Sequence, residues 1–103
     1  MAKTLWVDSI RNPPAGSDYD IARNYAQAVA YLQVNTYYAI CIDHDLDDFD
    51  ASGTEKTGYD VLMYLVQLKI ASHAVPKHYE LLTANPVGRE RMEGVIYQYL
   101  CVS

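Results

Sequence analysis

The sequence predicts an α/β fold, a compact three-layer domain spanning residues 1–103, with a small parallel sheet of three core strands and three helices. Three observations predict it. Short apolar runs without polar alternation, "TLWV", "YYAICI" and "HYELLT", have the composition of strands covered on both faces. Each is followed by a segment whose apolar residues recur at helical spacing. Strand–helix order of this kind implies parallel strands joined by right-handed crossovers, with helices on the faces of the sheet.

The strands are expected at residues 4–8, 37–43 and 78–83. "TLWV" (4–7) is the first and ends at Asp8. A Pro/Gly loop, "RNPPAGSD", leads to a first helix carrying Ile21, Tyr25, Ala28, Val29 and Leu32, with Ser17 or Asp18 as its cap. "YYAICI" (37–42) is the second strand. After a long polar loop at 47–57, Gly58 to Lys69 reads as the second helix, with Val61, Leu62, Leu65 and Leu68 on one side. "HYELLT" (78–83) is the third strand. The last helix begins at "NPVG", where Asn85 suits the N-cap and Pro86 the first turn. Met92, Val95, Ile96, Tyr99 and Leu100 form its apolar stripe, slightly weakened by Gly94.

Composition narrows the class. Half of the 103 residues are hydrophobic, enough for one globular core of modest size. The net charge of −5 argues against general DNA binding, although a local basic pocket can still hold phosphate. Cys41 and Cys101, without paired spacing, read as buried thiols of a reducing cytoplasm. "MAKTLWVDS" lacks an export segment, and no stretch approaches membrane-spanning length, so the expected location is cytoplasmic. Ten tyrosines stand against one phenylalanine. Most read as packing residues, while a few can stack on a nucleobase, and an oligomer is compatible with so amphipathic a surface.

In such folds ligands bind beyond the carboxyl ends of the strands. That rule selects "VDSIR", "DHDLDD" and "TANPVGR", and brings Asp8, Asp43, His44, Asp45, Thr83 and Asn85 to one edge. "DHDLDDFD" holds five aspartates and a histidine in eight positions. Asp8 and Asp43 are candidate Mg²⁺ ligands, with substrate phosphate completing the shell. The plainer alternative is that Asp43 or Asp45 caps backbone amides. Asp47, Asp48 and Asp50 read as solvated charges. A calcium loop starting at Asp48 fails, because its twelfth position is Tyr59 rather than a bidentate glutamate. His44, flanked by carboxylates, can serve as general acid, phosphate ligand or metal ligand, or as an ordinary hydrogen-bonded residue. His73 and His78 look solvated. The helix start at Asn85, with Gly88 and Arg89, forms an anion site, supplemented by Arg11 from the first loop or by Arg91. Surface ion pairs with Glu90 or Glu93 are the alternative role of the arginines. No Walker loop, dinucleotide fingerprint or nucleophile elbow is present.

"LWVDSIRNPP", "CIDHDL", "TGYDVLMYL" and "LLTANPVGRERM" together resemble the cyclic-phosphate-processing receiver-like domains, relatives of the response-regulator receiver fold. The resemblance implies a trimmed flavodoxin-like sheet and an acidic strand-end pocket. It implies a ligand that is a cyclic nucleotide or a cyclic-phosphate nucleic-acid end. It also implies that Asp43 corresponds to the receiver phosphoacceptor, Asp8 to a metal-binding acid, and Thr83 to the hydroxyl residue ending a later strand. Ser9 stands where the family pattern has a second acid, and Leu82 where it has a histidine. The receiver lysine of a fifth strand has no counterpart, so ordinary phosphorelay signalling is not expected. Two functions follow. One is a metal-dependent cyclic phosphoesterase using Asp8, Asp43 and His44. The other is a non-catalytic protein that sequesters a cyclic nucleotide through Arg11, His44, Asn85 and the last helix start.

Overall fold

A computed structural model describes residues 3–15 and 18–101. The elements are β1 (Thr4–Val7), β2 (Tyr19–Ala22), α1 (Tyr25–Val34), β3 (Ala39–Ile42), β4 (Asp48–Phe49), β5 (Glu55–Lys56), α2 (Gly58–Ile70), β6 (His78–Leu81) and α3 (Pro86–Val95). A π-helical turn, Ile96–Leu100, continues α3. Three helices and an all-parallel sheet of order β2-β1-β3-β6 make this a receiver-like α/β fold. The three expected strands are present in parallel pairing, with Leu5 beside Ile40 and Ile40 beside Tyr79.

The sheet has a fourth strand where a helix was expected to begin. Tyr19–Ala22 pairs in parallel with β1, so Ile21 is a strand residue. The helix starts only at Tyr25, behind Asn24, whose Oδ1 accepts the Gln27 amide at 2.9 Å. Asp18 therefore caps nothing, and Ser17 lies outside the described residues. Ile21 and Tyr25 are four apart, so helical spacing runs unbroken across the junction. A four-residue edge strand is too short to show its own period.

The connections decide what covers each face. The steps β2–α1–β3 and β3–α2–β6 run in the same direction across the sheet, and right-handed crossovers then lay both helices on one face. α3 packs beside α2 on that side. Alternation along the strands sends Leu5, Val7, Ile40 and Ile42 into this core, with Val61, Leu62, Leu65 and Met92 from the helices. The step from β1 to β2 runs the other way, and the segment after β1 lies against the opposite face. There Trp6 is buried outside the main core, its Nε1 donating to the Arg11 carbonyl at 3.0 Å. Among the described residues, the third layer is thus the stretch 8–15 rather than a helix. The reason is sequence: "RNPPAG" carries two prolines and a glycine where a crossover helix would have to form.

The long polar loop contains an antiparallel hairpin, β4 against β5. Asp50 Oδ1 holds its turn by accepting from the Ser52 amide, the Ser52 hydroxyl and the Thr54 amide. Asp48 Oδ2 accepts the Tyr25 amide at 3.0 Å, tying the hairpin to the first turn of α1. Neither aspartate is merely solvated. Cys41 is buried as expected, burial and Glu80 pushing its thiol up to about 12, but Cys101 is exposed. His73 and His78 are both exposed, and His78 Nε2 meets the Tyr38 hydroxyl at 2.6 Å. Among the described residues, no helix is long and apolar enough to cross a membrane.

Candidate functional site at the strand ends

Parallel register brings the two acids together. Val7 pairs with Ile42, so Asp8 and Asp43 follow adjacent strand ends, and the Asp43 amide donates to the Val7 carbonyl at 2.9 Å. Both carboxylates are buried, Asp8 completely. Asp8 Oδ1 accepts the amides of Ile10 (3.0 Å) and Arg11 (2.9 Å), which turns the chain sharply after β1. Asp8 Oδ2 has no hydrogen-bond partner among the described residues.

Burial raises the Asp43 carboxyl above its ordinary value of 3.8, and the negative charge of Asp8 raises it further. The amides of His44 and Asp45 and the charge of Arg11 oppose this without cancelling it. A raised folded value means that the native state prefers the protonated acid. The stabilisation is complete below 3.8 and is lost as pH rises through the folded value. Asp43→Asn is therefore expected to raise the melting temperature of the cation-free protein at pH 7. The gain should shrink to nothing in melts carried down through the acid range. A variant less stable than the parent at pH 7 would refute the repulsion.

Two glycines allow the helices to close on this corner. α2 starts at Gly58, whose amide donates to the His44 carbonyl at 2.8 Å. A Cβ there would stand 2.0 Å from the Asp43 carbonyl oxygen. α3 brings Gly88 against the His44 ring, and a Cβ there would stand 2.6 Å from ring carbon Cγ. His44 Nδ1 is 2.9 Å from Asp45 Oδ1, so the ring donates there and Nε2 is left without a partner among the described residues.

The start of α3 is built largely for itself. Asn85 Oδ1 accepts the amides of Val87 (3.1 Å) and Gly88 (3.2 Å), and its carbonyl accepts the Arg89 amide. Pro86 has no amide to offer, so the first-turn donors that an anion would use are engaged. Buried Thr83 accepts the Asn85 amide at its hydroxyl oxygen, leaving the hydroxyl hydrogen free to donate. Arg89 Nη2 donates to the carbonyls of Leu81 (2.9 Å) and Thr83 (3.2 Å) and so ties α3 to the end of β6. Arg91 lies over the Tyr59 ring, its guanidinium carbon 4.3 Å from the centroid.

Arg11 reaches across the edge. Its Nη1 donates to the Leu82 carbonyl at 2.5 Å and its Nε lies 3.7 Å from Asp8 Oδ2. Contacts thus run from Asp8 to Arg11 and on to Leu82, and from Thr83 through Asn85 and Gly88 to His44, which follows Asp43 in the chain. Arg23 was not singled out from the sequence. Its guanidinium holds the loop by donating to the carbonyls of Asp8 (3.1 Å) and Arg11 (2.5 Å) and to Asn12 Oδ1. Nothing in the sequence marks it, because the strand it follows, Tyr19–Ala22, carries too little pattern to be recognised.

Among the described residues, no three His, Cys, Asp or Glu side chains converge on a metal position. Asp8 and Asp43 alone suit Mg²⁺, which takes one or two carboxylates and leaves other positions to water and phosphate. The unsatisfied Asp8 Oδ2 is the oxygen such an ion would use.

No curated protein and no solved structure matches this chain. A family model does, over residues 3–98, and by that match the chain belongs to the cyclic-phosphate processing receiver domains.

Proposed function

We propose that the strand-end edge recognises the cyclic phosphate of a nucleotide or of an RNA end, and opens it with water when Asp8 and Asp43 hold Mg²⁺. The observation that carries this reading is the strand-end edge itself: two buried carboxylates on adjacent strand ends, with a guanidinium 3.7 Å from one of them, and an imidazole nitrogen and a hydroxyl hydrogen at the same edge without partners among the described residues. Arg11 supplies the charge that attracts phosphate, and Thr83 adds a neutral donor. The Asn85 Oδ1 and the Gly88 amide are committed to the α3 start and shape the wall, whereas Arg89 commits only Nη2, to the end of β6, and keeps its other guanidinium donors for phosphate. The phosphate is therefore held chiefly by side chains rather than by helix amides.

Bound Mg²⁺ would supply Lewis acidity toward the phosphoryl oxygens and a more acidic water. In the hydrolysis, a water oxygen bonds to phosphorus and gives up one proton to bulk solvent, and one phosphorus–oxygen ester bond of the ring breaks. Protonated His44 gives its Nε2 proton to the departing ribose oxygen, while Asp45 steadies the ring through Nδ1. The product is a phosphomonoester beside a free hydroxyl.

Sequestration without turnover is the second reading, favoured by Ser9 and Leu82 at positions where the family pattern has an acid and a histidine. Incubation with 2′,3′-cyclic and 3′,5′-cyclic nucleotides and cyclic dinucleotides, with Mg²⁺, separates the two. Hydrolysis predicts a linear phosphomonoester in amounts exceeding the protein. Full recovery of intact ligand after denaturation, from a complex of fixed stoichiometry, establishes capture. Failure of every cyclic phosphate to bind removes both readings.

A further inference from the structure

The acidic pair already has a cation of its own. Asp8 is fully buried, yet its two oxygens are treated differently: two amides reach Oδ1 and, among the described residues, no hydrogen bond reaches Oδ2. Leaving a charged oxygen buried and unsatisfied is costly, so something nearby must offset it. Arg11 Nε is 3.7 Å from Oδ2, outside hydrogen-bond reach and within range of an ion pair. A tight guanidinium–carboxylate pair makes two parallel bonds of about 2.7–2.9 Å. Here the fork points elsewhere, with Nη1 on the Leu82 carbonyl at 2.5 Å.

We propose that Arg11 is the resident counter-ion of Asp8 and Asp43 and exchanges that place with a divalent cation, which frees its guanidinium for phosphate. This rests on the acidic pair as cation ligands, but not on any particular phosphate ligand. Three features argue for exchange rather than permanent pairing. The contact is incomplete, so little is lost when it breaks. The Arg11 side chain is 49% exposed, so it has water to swing into. A hard cation needs carboxylate oxygen at about 2.0–2.1 Å, and a guanidinium beside the same oxygen would repel it. The two cations therefore exclude each other at Oδ2.

Two consequences follow. Arg11 weakens cation binding while no phosphate is present, and phosphate and cation strengthen each other's binding because each relieves the other's competition for Arg11. The backbone of Arg11 keeps its own bonds, accepting from Trp6 and Arg23, so the side chain can be changed without unfastening the loop.

The test titrates Mn²⁺ into nucleotide-free parent, Arg11→Gln and Asp8→Asn proteins by calorimetry, with and without inorganic phosphate. Arg11→Gln should bind Mn²⁺ about tenfold more tightly than the parent, and phosphate should tighten Mn²⁺ binding only in the parent. Asp8→Asn should bind least. Equal or weaker Mn²⁺ binding by Arg11→Gln overturns the proposal. So does an absence of binding by both, and if cyclic nucleotides still bind in that case, the phosphate reading stands while the exchange falls. Should Arg11→Gln not fold, the Arg11 side-chain Nε–H resonance of the parent decides: it must shift on adding Mg²⁺, and a stationary signal on cation binding refutes exchange.

Discussion

Gly58→Ala is expected to destabilise the protein by about 3 kcal/mol, lowering its melting temperature by roughly 15 °C. The added Cβ would lie 2.0 Å from the Asp43 carbonyl oxygen, 3.0 Å from its carbon and 3.0 Å from Met92 Cε. The methionine tip can move aside, but the carbonyl cannot. Asp43 is tied through its amide to Val7, and Gly58 through its own to His44. Relief therefore requires α2 to back away from the sheet, which opens the layer formed by Val61, Leu62 and Leu65. Thermal melts followed by circular dichroism measure the effect. The same retreat should slacken the Asp43–His44 corner, so cation and ligand binding fall in the fraction that stays folded. A melting temperature within about 3 °C of the parent would mean that the helix start tolerates a side chain and that the contact is not rigid.

That close approach could not be read from the sequence, where Gly58 is only the first residue of a helical pattern. The features that could be read have local physical causes. "TLWV" and "YYAICI" are apolar enough to be strands whatever surrounds them, and Asn85–Pro86 announces a helix start by its own chemistry. Asp8, Asp43, His44, Thr83 and Asn85 came to one edge because parallel strands share a direction.

The misreadings fall where partners are distant in the chain. Tyr19–Ala22 is a strand because β1 offers it a parallel edge, and four residues carry too little pattern to say so. Asp48 caps α1 across 23 residues, and Arg11 reaches Leu82 across 71. Asn85 shows the converse limit. Its capping role was legible, but capping engages the very amides that made the helix start look like an anion site. Local chemistry identified the residue; the bonding count changed its meaning.

His44 carries the other large effect. His44→Gln is expected to lower turnover of a cyclic phosphate by about 10²–10³-fold, with the affinity for uncleaved ligand reduced far less. Glutamine keeps a polar group near the phosphate but cannot deliver a proton to the departing oxygen. Its side chain also relaxes the contact that Gly88 makes with the ring. Gly88→Ala tests the same nitrogen from the opposite side. Its Cβ would stand 2.6, 2.7 and 2.9 Å from three ring atoms, the nearest being Cγ at the root of the ring, so the whole imidazole has to turn aside or α3 has to shift, at some cost in stability. That variant should stay folded, keep most of its ligand affinity and lose turnover, because Nε2 no longer points at the ring phosphate. If the protein only captures its ligand, there is no turnover to lose, and both variants should act on affinity alone. Turnover that survives His44→Gln at the parent rate would remove the histidine from the chemistry and leave the protonation of the leaving group to solvent.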